Sequence, residues 1–204
     1  MAALESLPWD DVPEVTLIRP IPRKHIDFFP GHRGHIGARF PVGGIMVVGN
    51  NFSSLKGWGD YIGSPDVASP TSTWRKVRLM IEGSGLSWED FWFTNYCFGV
   101  MDRKKESYDF PRRIIKALEF ESMFSKSVAA MRPRLIVSLG RLAAKHLRTD
   151  YDLRGRVDER VIGGHPARLL AAVHPSAWTW NGKGFRDEDF VGEGARIRYA
   201  ASRR

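Results

Sequence analysis

Four short apolar runs each break off on glycine or on a hydrogen-bonding side chain, and this repeated ending constrains the fold more than any other feature of the chain. The first run, Ile45-Met46-Val47-Val48, stops on Gly49-Asn50-Asn51-Phe52-Ser53-Ser54. That is the profile of a buried strand running out into a polar loop. Asp90 to Thr94 forms a second such run and exits on Asn95; Arg134 to Leu139 forms a third and exits on Gly140. The fourth, Leu169 to Val173, exits on His174-Pro175-Ser176. Helical spacing fills the intervals. Trp74, Val77, Met80 and Ile81 recur after a Ser72 or Thr73 cap. Asp109-Phe110-Pro111 opens a long helix with Ile114, Ile115, Leu118, Phe120, Met123, Phe124, Val128 and Met131 on one face, stopped by Arg132-Pro133. A third helix starts directly at Arg141 and runs to Leu147. Continuous apolar strands alternating with helices predict an α/β fold, a three-layer αβα arrangement with a mostly parallel four-stranded central sheet.

The rest of the chain is less regular. Residues 1–40, rich in proline and charge, are expected to form an irregular arm packed on the domain through residues such as Val15 and Leu17. Residues 41–204 form one α/β domain, since a chain of 204 residues with 43% apolar content supports a single buried core. Gly57 to Pro65 is a glycine-rich, aromatic loop suited to line a pocket or act as a lid. Gly155 to Gly164 is expected to be a charged surface hairpin or loop, and the polar, basic tail beyond Trp180 only partly ordered.

Net charge is +8 and the pI about 9.9, with basic side chains spread along the chain. Such a surface favours polyanions, nucleic acid first among them. Cys97 is the sole cysteine, which excludes an internal disulfide and any cysteine-ligated cluster built by this chain alone. His25, His32 and His35 lack acidic or cysteine partners at ligand spacing, so no metal and no cofactor is expected. No apolar run is long enough for a membrane span, and residues 1–8 lack the basic start and apolar core of an export signal. A cytoplasmic monomer is the expectation.

Parallel strands linked by helices bring their carboxyl ends to one edge, where ligands of open α/β sheets bind. Asn50, Asn51, Asn95, Gly140 and His174 should therefore converge. Asparagines after strands are ordinary turn formers, and a lone histidine there is commonly structural. Together they suit a nucleobase out of its stack. A carboxamide offers both donor and acceptor to a base edge, aromatic rings stack on its face, and an imidazole facing a carbonyl oxygen stabilises charge on a departing base. A strand, a glycine and a helix start at Gly140-Arg141 would seat a phosphate.

These residues resemble the uracil-DNA glycosylase superfamily. The likeness lies in Val47-Val48-Gly49-Asn50-Asn51-Phe52, in Phe93-Thr94-Asn95, in Pro133 to Arg141 and in Val173-His174-Pro175-Ser176, and spans about residues 44 to 180. It implies base flipping, DNA repair chemistry and base excision in which Asn51 positions a water and supports positive charge on the sugar. Asn95, with Asn50, reads the base, and His174 bonds its departing oxygen. Ser53, Arg141 and Ser176 are candidates for backbone phosphates. An asparagine is no general base at neutral pH, so leaving-group stabilisation must dominate.

The chain departs from the family at Phe52, where many members carry proline. Phe52, Trp58, Tyr61 and Trp74 compete as the stacking ring, with Trp74 favoured because it precedes a helix. Ala177-Trp178-Thr179-Trp180 stands where a small aliphatic wedge is usual, which makes Trp178 a candidate to fill the gap left by the extruded base. The expected function is a monofunctional DNA glycosylase acting on uracil or a modified pyrimidine. Excision of bulky modified bases from foreign phage DNA and a non-catalytic binding module of the same fold remain as alternatives, with a small-molecule nucleoside hydrolase behind them.

Overall fold

The structure, a computed structural model, describes residues 15–17, 42–51, 72–97, 99–101, 110, 112–117, 119–151, 155–176, 179–180 and 183–203. The strands are β1 (Val15–Leu17), β2 (Ile45–Gly49), β3 (Phe91–Asn95), β4 (Gly99–Met101), β5 (Leu135–Leu139), β6 (Val157–Ile162), β7 (His165–Ala172), β8 (Thr179–Trp180) and β9 (Lys183–Gly184). The helices are α1 (Ser72–Ser84), α2 (Arg112–Ala117), α3 (Phe120–Met131), α4 (Gly140–His146) and α5 (Asp187–Ser202). The central sheet runs in the order β3-β2-β5-β7-β6; the first four strands are parallel and β6 is antiparallel to β7. β1 pairs with β4 and β8 with β9 as two-stranded ribbons.

Period-two alternation sends successive side chains of the buried strands to opposite faces. Met46, Val48, Trp92, Ile136 and Leu169 meet Phe120, Phe124 and Val128 of α3 together with Leu147. Ile45, Val47, Phe91, Phe93, Val137 and Leu170 meet Val77, Met80 and Ile81 of α1 and Phe190 and Ile197 of α5. Helices thus cover both faces, which is compatible with a three-layer αβα arrangement.

Three expectations need correction. The sheet has five strands, not four. The Gly155 to Gly164 excursion supplies the fifth, turned onto β7 through Gly163 and Gly164, whose φ values of +58° and +76° suit a tight hairpin. Its Val-Asp-Glu-Arg-Val-Ile sequence carries charge because β6 is an exposed edge, where charge discourages pairing with another chain. The long helix is broken at Glu119, which adopts φ +51°, so that α2 and α3 each turn apolar residues into the same core. Phe110 and Phe120 meet edge to face across the break, with centroids 5.4 Å apart.

The third correction is the tail. Residues 187–202 form α5, packed against α1. Its buried side includes Phe190, Gly194, Ile197 and Ala200, spaced to one face but small enough that the segment looks merely polar. The small residues matter. A Cβ on Gly194 would lie 2.1 Å from the Met80 carbonyl oxygen, and one on Gly83 of α1 would lie 2.3 Å from that of Val191. The two helices cross backbone against backbone.

Candidate active site

Register sets the first half of the site. Gly49 pairs with Asn95, and the ladder continues beyond the strand ends: the Tyr96 N–H donates to the Gly49 carbonyl and the Cys97 N–H to that of Asn50, both at 2.9 Å. Gly49 therefore sits beside Asn95, with Asn50 one residue further out, both asparagines buried and Asn51 half-buried at the mouth. Asn95 follows Phe91 and Phe93 in side-chain parity and so belongs to the face covered by α1 and α5. Gly49, its neighbour in register, puts no side chain beside it.

Close packing sets the second half. Gly140 opens α4 with φ +80°, and a Cβ there would come within 2.8 Å of the His174 Cβ. Only glycine fits both the backbone angle and the space, so the third and fourth strand exits are in contact. In the sheet order β3-β2-β5-β7, Asn95, Asn50 with Asn51, Gly140 and His174 stand along one edge. At about 4.8 Å per strand, Asn95 and His174 are roughly 14 Å apart at the backbone, a gap that two inward-leaning side chains and a planar ring can bridge.

The imidazole is fixed chemically as well as sterically. The Ser176 backbone N–H donates to the His174 Nδ1 at 3.1 Å, and the Ser176 hydroxyl lies 2.6 Å from the same nitrogen. An amide N–H can only donate, so Nδ1 is the acceptor and the proton of the neutral ring sits on Nε2. Burial, helped by the nearby Lys76 ammonium, pushes His174 down to about 4. At neutral pH the residue is an uncharged Nε2–H donor.

Lys76 is the site residue that sequence reasoning missed. It lies on α1, half-buried, with its ammonium 5.0 Å over the Phe190 ring. A lysine beside Val77 on an amphipathic helix gives no hint of which strand exit it faces. Lys76→Gln is expected to raise the pKa of His174, because the ammonium lowers it; burial, the larger cause, persists, so the value stays below the ordinary 6.5. An NMR titration of the ring checks this, and an unchanged or lower value would remove Lys76 from the site.

The remaining candidates divide. Ser176 is exposed, and its N–H and hydroxyl both meet the His174 Nδ1. Arg141 is exposed in the first turn of α4. That helix has only seven residues, about two turns, so the dipole expected to seat a phosphate there is short. Trp74 falls within α1, though its side chain is outside the described residues. Ser53, Trp178, the alternatives Phe52, Trp58 and Tyr61, and His25, His32 and His35 also lie outside them. Among the described residues, no group of three His, Cys, Asp or Glu side chains could hold a metal ion, and no helix is long and apolar enough to cross a membrane.

Neither a model of a known protein family nor a curated protein matches this sequence.

Proposed function

We propose that this chain is a monofunctional DNA glycosylase of the uracil-DNA glycosylase kind. It flips a uracil or modified pyrimidine out of DNA and hydrolyses the N-glycosidic bond, leaving an abasic site. The observation that carries the reading is His174: a neutral imidazole, its Nδ1 occupied by Ser176, keeps Nε2–H as a donor on the edge that also bears Asn95, Asn50 and Asn51. In the reaction the C1′–N1 bond breaks with its electron pair leaving on the base, whose O2 takes up negative charge. The Nε2–H of His174 hydrogen-bonds that oxygen, Asn95 holds the base edge, and the Asn51 carboxamide orients the water that adds to C1′. The proton lost by that water passes to solvent, since no carboxylate stands at position 51 to take it.

The +8 net charge supports DNA as the partner, and the protein acts on it without cofactor, as a cytoplasmic monomer in this reading. The test is a panel of single- and double-stranded oligonucleotides carrying uracil, hydroxymethyluracil, hypoxanthine or glucosylated hydroxymethylcytosine, incubated with the protein and then cleaved in alkali. A labile product on uracil or hydroxymethyluracil supports the main reading. One confined to the glucosylated base moves the substrate to bulky modified bases of foreign DNA. Asn51 in place of a carboxylate favours a second reading, a module that holds an altered base without cutting it. Salt-dependent binding with no product on any oligonucleotide would establish that instead.

A further inference from the structure

β6 stops short of the end of its neighbour. Its last pairing is Val157 with Leu170, so among the described residues β7 runs on toward His174 with no strand on that flank. Two side chains of α5 occupy the gap. Arg196 reaches the Ala171 carbonyl at 3.5 Å, the Glu193 carboxylate faces the Val173 N–H, and the two charges meet at 2.5 Å. Gly155, just before β6, comes so close that an added Cβ would lie 3.3 Å from the Arg196 Nε, which puts the pair on the β6 flank.

Along a strand, the N–H and C=O of alternate residues point to the same side. The Ala171 carbonyl and the Val173 N–H are therefore the two groups that a longer β6 would have paired. Glu193 and Arg196 replace that missing backbone with one acceptor and one donor. Glu193 is 7% exposed, and among the described residues both its Oε2 and the Arg196 Nε lack a hydrogen-bond partner. A buried ion pair with unmet atoms is a poor source of stability, and apolar residues of similar volume commonly serve a core as well or better. What it does here is local: it clamps the residue immediately before His174.

We propose that Glu193 and Arg196 are positioning residues that fix the strand exit carrying His174. The inference rests on the reading of His174 as the donor to the base, but its structural half can be tested without catalysis. The experiment compares the full chain with Glu193→Gln, which keeps an acceptor for Val173, and with the double variant Glu193→Leu/Arg196→Met, which removes donor and acceptor together. Labelled histidine and Ser176 amide NMR report the ring tautomer and the Nδ1 hydrogen bond; denaturation reports stability; excision kinetics report rate.

The expected result for the double variant is an unchanged denaturation midpoint, a mixture of His174 tautomers, a Ser176 amide that exchanges faster, and a kcat about a hundredfold lower with little change in KM. Glu193→Gln should retain the native tautomer and most of the rate. A double variant that unfolds or loses much of its midpoint would make the pair a stability element and overturn the proposal, as would native His174 signals with a native rate. Absence of excision by the wild type would sink the glycosylase reading only, because the NMR comparison still decides the clamp.

Discussion

Replacing His174 with alanine is expected to slow base excision about a hundredfold while weakening DNA binding far less, as for removal of one preorganised donor from an oxyanion site. The asymmetry follows from when the interaction is made. A neutral Nε2–H bonds a carbonyl oxygen weakly in the bound substrate and strongly once that oxygen carries the charge of the leaving base, so the loss falls on kcat. His174→Gln, which restores an N–H donor, should recover part of the rate. Equal loss of rate and affinity would instead mark a structural histidine. The pH profile extends the argument. With the ring at about 4, the donor form stays filled well below pH 6.5, so excision should show no acid limb near the ordinary histidine value. The unfolded chain binds this proton more readily than the folded one. Stability drawn from the neutral, buried ring is therefore complete above about pH 6.5 and is lost as the pH falls toward 4.

The parallel strands could be read from the sequence because both of their faces are buried, which leaves unbroken runs such as Ile45 to Val48 and Leu135 to Val137 with little else they could be. Their exits followed, and register then placed Gly49 beside Asn95 with Asn50 one residue further out. What could not be read shares a physical cause: it depends on contacts rather than on hydrophobic signal. β6 is an exposed edge, so its charges showed a surface hairpin or loop but not a fifth strand of the central sheet. Glu119 breaks a helical pattern that would continue smoothly on propensity alone. Nothing in Val-His-Pro-Ser tells that the Ser176 N–H turns back onto the His174 Nδ1. Lys76 and Glu193 reach strand exits that lie about 100 and 20 residues away in the chain, on helices whose crossing is set by glycines.

That crossing gives the largest expected effect on stability, and with a sign that changes within two residues. Gly192 and Gly194 both lie inside α5, where alanine is intrinsically favoured over glycine by about 1 kcal/mol. At Gly192 an added Cβ meets nothing within 4 Å, so Gly192→Ala should stabilise the protein by about that amount. At Gly194 it would meet the Met80 carbonyl oxygen at 2.1 Å, the Ser84 nitrogen at 2.6 Å and the Gly83 carbonyl carbon at 2.7 Å. All three are backbone atoms, so no side chain can swing aside, and α5 must move off α1. Overpacking of this kind costs about 3 kcal/mol or more, well beyond the propensity gain. Urea denaturation of the two variants decides the matter through opposite shifts of the midpoint at similar m-values. Displacement of α5 also carries Glu193 and Phe190 away from β7 and Lys76, so Gly194→Ala should disturb the His174 ring signals even where the protein still folds. A Gly194→Ala protein as stable as the parent would mean that the helices do not cross in contact, and the placement of both Lys76 and Glu193 at the strand exit would fall with it.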